Sequence, residues 1–166
     1  VSPFDFLPTI ENHALSIDLG EWVINEALTQ ISQWQQTGIM MSISVNMSAY
    51  QLQQDNFKVR LENILASHPD VLPSKLEIEV LETSSFNDIQ KVSVTIENCR
   101  RLGVSFALDD FGTGYSSLTY LRRLPTNAIK IDQSFIRDML IDTNDLAIVK
   151  SVISLAKAFH REVVAE

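Results

Sequence analysis

A parallel α/β fold, either doubly wound or a (β/α) barrel, is the architecture this sequence predicts. Two observations carry the prediction: strand-like and helix-like stretches alternate from end to end, and every strand-like stretch finishes in polar residues. Composition makes that alternation meaningful. Of the 166 residues, 45% are hydrophobic, with eight Phe, two Trp and three Tyr, which supplies a core and excludes disorder. The length suits one domain, 1–166, and no low-complexity tract, repeat or Gly/Ser linker divides it.

The elements follow in order. Leu19, Trp22, Val23, Ala27, Ile31 and Trp34 recur at spacings of three and four, which predicts a helix ending near Gly38. Ile39 to Met47 is short, apolar and β-branched and reads as the first strand. Phe57, Leu61, Ile64 and Leu65 predict a helix closed by His68-Pro69, and Leu76 to Leu81 alternates Glu with aliphatic residues as a strand does. Ile89, Val92, Ile96 and Cys99 predict a helix ending at Gly103, before a strand at Val104 to Leu108. Leu118, Leu121 and Leu124 suit a short helix stopped by Pro125, and Ala128 to Ile131 is the next strand. Ile148, Val149, Val152, Ile153, Ala156 and Phe159 predict a long amphipathic helix, and Val163 to Ala165 is a fifth strand. No G-x-G-x-x-G or P-loop follows any strand, so dinucleotide and NTPase readings lack their phosphate loop.

Charge and cysteine content narrow the function classes. A net charge of −8 argues against holding a nucleic-acid polymer on a basic face, but not against a small phosphate ligand with cations between it and the carboxylates. The single cysteine, Cys99, excludes an internal disulfide and indicates a reducing compartment. No apolar run nears the roughly 18 residues of a membrane helix, and no signal peptide is present, so a cytoplasmic domain is expected. A membrane anchor elsewhere in a longer parent stays open. Val1 has no Met before it, and Ser2-Pro3 reads as mid-loop, so the chain is expected to be a piece of a longer one.

The polar strand ends are Asn46, Glu79 with Glu82, Asp109 with Asp110, Lys130 with Asp132, and Glu166. In a parallel barrel such ends converge on one mouth, where the site sits. Hard oxygen ligands select Mg²⁺ or Mn²⁺ over zinc, since no Cys or His takes part. Adjacent aspartates can bridge two cations about 3.5–4 Å apart. Singly, these residues have plainer explanations. An Asn at a strand end is usually a turn residue, and Glu77 and Glu79 alternate as on a half-solvated strand. Asp109-Asp110 is more pointed, because neighbouring anions repel unless neutralised. Lys130, set between Ile129 and Ile131, must find a partner.

The run Asp109-Asp110-Phe111-Gly112-Thr113-Gly114-Tyr115-Ser116-Ser117-Leu118 resembles the signature loop of the EAL-domain family of cyclic-di-GMP phosphodiesterases. Ser44-Val45-Asn46-Met47-Ser48-Ala49, Leu76-Glu77-Ile78-Glu79, Ile129-Lys130-Ile131-Asp132 and Val163-Val164-Ala165-Glu166 are similar to the family's other blocks, in order. The resemblance implies a TIM-like (β/α) barrel, with about five of its strands in this chain, that hydrolyses cyclic di-GMP to linear pGpG with Mg²⁺ or Mn²⁺ at a two-metal site. It further implies that Asn46, Glu79 and Asp109 hold one metal, and that Asp109 and Asp110 hold the second with Glu166 as ligand or base. Lys130 would touch the attacking water. Glu82 would anchor the loop of Phe111, Gly112, Thr113 and Gly114, whose glycines let it move.

The chain departs from the family pattern in places. Its Glu26-Ala27-Leu28 falls in the first helix and is a chance match; the family's namesake strand would lie upstream of Val1, and its last strands beyond Glu166. Leu81 stands where a Thr is usual, and Tyr50 where an Arg is usual. A barrel of five strands cannot close, so the 166 residues alone are expected to bind metal poorly and turn over slowly. Regulatory domains in the parent and pairing into homodimers are further expectations. The competing reading is a catalytically inactive module that binds cyclic di-GMP or a protein partner; such a module would be expected to have lost Glu79, an Asp of the pair or Lys130, and all are present.

Overall fold

The computed structural model describes residues 2–82, 86–114 and 117–166. Strands β1 (Ile43–Asn46), β2 (Leu76–Leu81), β3 (Ser105–Phe111), β4 (Ala128–Ile131) and β5 (Glu162–Ala165) form one sheet in chain order, every pair parallel. That order separates the two predicted architectures. A doubly wound sheet reverses direction at a switch point; here each strand joins the same advancing edge, as in a barrel.

Strand alternation sorts the side chains onto two faces. Val45, Ile78, Val80, Phe106, Leu108 and Ile129 are buried under the helices. The other face carries Asn46, Glu77, Glu79, Asp109 and Lys130, brought side by side by registers such as Asn46 opposite Glu79. The polar strand residues therefore share one face rather than scattering.

Eight helices accompany the sheet among the described residues: α1 (Pro3–Ile10), α2 (Ala14–Gln36), α3 (Ala49–Leu52), α4 (Phe57–Ala66), α5 (Ile89–Arg100), α6 (Ser117–Arg123), α7 (Gln133–Asp138) and α8 (Thr143–Ala158). Aspartates start three of them: the Asp88 carboxylate accepts from the Gln90 and Lys91 N–H groups, Asp132 from Ser134, and Asp142 from Asn144. Asp88 directly precedes the predicted start at Ile89, whereas Asp142 starts α8 one turn and more before Ile148.

Four expectations are corrected. The buried seam of α2 runs through Ser16, Gly20, Ile24, Ala27, Leu28 and Ile31, while Trp22 is 59% exposed. The seam is rotated because small residues at 16 and 20 admit α3, which a sum of hydrophobicity cannot anticipate. The first strand begins at Ile43, not Ile39: its ladder partner β2 starts at Leu76, opposite Ile43, so Ile39, Met40 and Met41 have nothing to pair with and are exposed. Residues after Pro3 are helical rather than loop, with Pro at the first helical position, where its missing N–H is harmless. Helices α3 and α7 are too short for an apolar period and form around side-chain caps, a Ser48–Gln51 capping box and the Asp132 carboxylate.

Candidate active site

Each predicted site residue stands at a C-terminal strand end, and the sheet decides which of them meet. Lys130 is the hub. Its Nζ lies 2.7 Å from Glu79 Oε1 and 3.6 Å from Asp109 Oδ1, and it also pairs with Glu166 Oε1. Glu79 is 5% and Asp109 7% exposed, so three strands bring charge into a largely dry setting. Burial opposes the Lys130 ammonium, but the hydrogen bonds to Glu166 and Glu79 and the charge of Asp109 outweigh it and hold its pKa above the ordinary value.

Asp109 and Asp110 are consecutive, and on a regular strand they would face opposite sides. The β3–β4 register breaks between Leu108 and Phe111, and Asp110 takes a left-handed backbone, φ +53°. This bulge turns Asp110 back towards its neighbour. One carboxylate oxygen each from Asp109, Asp110 and Glu166 then lies within 4.8 Å of the others. Burial pushes the Asp109 carboxyl up to about 6, with Lys130 pulling it down and Glu79 and Glu166 adding to the rise. Asp110 is also raised, by burial and by a hydrogen bond shared with Asp132. Asp132 is lowered, chiefly by its hydrogen bond from the Ser134 hydroxyl.

The signature loop hangs on one carboxylate. Glu82, 2% exposed, accepts from the Gly112 N–H at 2.7 Å and the Gly114 N–H at 3.2 Å, while its own N–H donates to the Asp109 carbonyl at 3.0 Å. Both glycines are required. Gly112 has φ +107°, and a Cβ there would meet the Phe135 ring at 2.9 Å; a Cβ on Gly114 would meet Glu82 Oε1 at 2.7 Å. Phe111 is buried, and Thr113 is exposed with its hydroxyl donating to the Asp110 carbonyl. Tyr115 and Ser116 of the loop lie outside the described residues.

Asn46 is exposed at the end of β1, opposite Glu79 in register, and Glu79 pairs with Lys130 rather than joining the group of Asp109, Asp110 and Glu166. Glu26-Ala27-Leu28 sits within α2, with Ala27 and Leu28 buried and Glu26 in solvent. Asp132, one of the polar strand ends but given no role by the resemblance, shares a hydrogen bond with Asp110.

A divalent cation fits this donor set. The donors are carboxylate oxygens with no sulfur or imidazole. Asp109 and Asp110, both held above the usual carboxylate range, are destabilised as bare anions and would be relieved by a cation. Glu79 Oε1 is buried with no hydrogen-bond donor among the described residues beyond the Lys130 ammonium.

The EAL domain family model matches residues 1–166, and the chain belongs to that family. It is 38% identical over 167 residues to the bifunctional diguanylate cyclase/cyclic di-GMP phosphodiesterase MucR of Pseudomonas aeruginosa, covering 100% of this chain and 24% of the relative. The structure of PaMucR phosphodiesterase in complex with c-di-GMP matches with a TM-score of 0.87 at 38% identity, over 99% of this chain and 67% of that one. The EAL domain of Mycobacterium smegmatis DcpA matches with a TM-score of 0.84 at 34% identity, over 90% of this chain and 68% of that one. The chain thus spans about a quarter of the length of the curated relatives it matches. The fold is the TIM-like barrel of the EAL domains, with five parallel strands in this chain. No helix among the described residues is long and apolar enough to cross a membrane.

Proposed function

We propose that this chain is part of a metal-dependent phosphodiesterase domain that hydrolyses cyclic di-GMP to linear pGpG in bacterial signalling. One observation carries the reading: the Lys130 ammonium is ringed by Glu79, Asp109 and Glu166 on the polar face of an EAL-type sheet. Relatives named as cyclic di-GMP phosphodiesterases, and a solved relative bound to c-di-GMP, supply the substrate.

Asp109, Asp110 and Glu166 would hold one Mg²⁺ or Mn²⁺, and Asn46 and Glu79 would share Asp109 with a second. Such cations lower the pKa of water and neutralise charge growing on phosphorus. The protein's own part is electrostatic. Lys130 keeps a positive charge beside three carboxylate-bearing strand ends, where an attacking water and a phosphate oxygen would both gain from it. Glu166, the most exposed of the three Lys130 partners, would serve either as a cation ligand or as the base that accepts a proton from the water. Glu82 holds the start of the signature loop through the Gly112 and Gly114 N–H groups. The presence of Glu79, Asp109, Asp110 and Lys130 favours hydrolysis over binding alone. A cytoplasmic setting accords with the single buried thiol of Cys99.

The test is product analysis. The complete domain, incubated with cyclic di-GMP and either Mg²⁺ or Mn²⁺, is expected to yield pGpG by liquid chromatography. Tight nucleotide binding without pGpG under either metal would replace this reading with the binding module.

A further inference from the structure

Gln51 lies outside the acidic cluster, yet it is 6% exposed and its side-chain amide joins the segment that follows Asn46 to α2. Beyond Asn46, the Met47 N–H donates to the Glu79 carbonyl at 2.9 Å, and Ser48 then opens α3. Gln51 Oε1 accepts from the Ser48 N–H at 3.1 Å and from the Ser48 hydroxyl at 3.2 Å. Its Nε2 donates to the Ser16 carbonyl on α2. Gly20, one turn further along α2, leaves the room: a Cβ there would meet Gln51 Cδ at 3.0 Å. Glutamate would lose the donor and leucine both functions, so an amide of this length is specifically required.

We infer that Gln51 is a positioning residue for Asn46, tying the backbone two residues beyond it to α2 so that Asn46 is held at the end of β1 in register opposite Glu79. The inference rests on the proposed role of Asn46 as a cation ligand. Through the Ser48 N–H and the Ser16 carbonyl, Gln51 adds a side-chain tie between the segment after Asn46 and α2, beside the backbone bond from Met47 to Glu79. Loss of a group that orients a metal ligand typically weakens metal binding about 10–100-fold.

The test uses the full-length protein, with Mn²⁺ affinity from isothermal titration calorimetry in the absence of nucleotide and thermal melting alongside. Asn46→Ala and Gln51→Met are each expected to weaken Mn²⁺ about 10-fold or more, with the double variant no weaker than Asn46→Ala. Ser48→Ala, which removes part of the same lock with little loss of packing, is expected to move Mn²⁺ affinity in the same direction and carries the test if Gln51→Met does not fold. A lower melting temperature with wild-type Mn²⁺ affinity in the Gln51 and Ser48 variants, while Asn46→Ala still weakens Mn²⁺, overturns the inference alone. So does a double variant whose losses multiply. An Asn46→Ala variant with unchanged Mn²⁺ affinity overturns the ligand reading, and the inference with it.

Discussion

Lys130 and Asp109 show how far one charge depends on its neighbours. In the metal-free protein the Lys130 ammonium is the counter-charge for two nearly buried carboxylates, Glu79 and Asp109. Lys130→Met is expected to lower kcat by about 10²–10³. It should also cost the metal-free fold about 3 kcal/mol, because the acids are left without a partner. Added Mn²⁺ should then raise the melting temperature of the variant more than that of the wild type; equal metal-induced shifts would argue against shared neutralisation. Asp109 makes a pH prediction. Its carboxyl titrates near 6 in the fold against an ordinary value of 3.8, so the folded state holds a proton that the unfolded chain releases. Its contribution to stability is therefore lost as pH rises from about 4 to about 6. With chelator present, Asp109→Asn should gain on the wild type in melting temperature across that window, and a gap that stays constant with pH would count against it.

At the scale of the element, the signature loop is the unit whose placement hangs on one side chain. Both loop N–H groups donate to one oxygen, Oε2, so Glu82→Gln keeps the volume and an acceptor but removes the charge that strengthens both bonds. The expected outcome is a kcat lowered about 10-fold or more with Mn²⁺ affinity unchanged, since the loop is displaced and the cation ligands are not. A parallel loss of Mn²⁺ affinity would show that Glu82 supports the acids instead. Gly112→Ala should destabilise by about 1–2 kcal/mol, read as a lower melting temperature, because its φ of +107° and the Phe135 ring both exclude a methyl group. The bulge in β3 belongs to the same scale: it gives consecutive aspartates a common direction and re-aims the strand where the loop begins.

For the whole molecule, the five strands bring their polar ends to one mouth, with Asn46 and Glu166 on the two outermost strands. The solved EAL domains it matches are longer, this chain spanning 67–68% of them. We expect the 166 residues expressed alone to turn over cyclic di-GMP at under about 1% of the rate of a chain extended at both ends, because outer strands lack a neighbour to hold their last residues. Comparable rates from the two proteins would show that the mouth is already organised by these five strands. The acidity of the chain fits this arrangement, since part of the −8 charge is concentrated in the cation site.

Much of this was legible from residue order. The β/α alternation, the strand at 76–81, the strand at 128–131 and the polar strand ends follow from periodicities of two and 3.6 that any local reading detects. So did the signature run from Asp109, because its chemistry is local in sequence. What the sequence left open was decided by contacts between distant segments. The sequential sheet order chose the barrel over the doubly wound sheet. Small residues at 16 and 20 rotated the seam of α2 towards Gln51. The start of β1 was set by where β2 could pair with it, and the convergence of Glu79, Asp109 and Glu166 on Lys130 required four strands in register. The sequence determined which charges the protein carries and on which strand ends; only the tertiary structure decided which of them share a proton, a partner and a cation site, because those energies depend on distance and burial across the sheet.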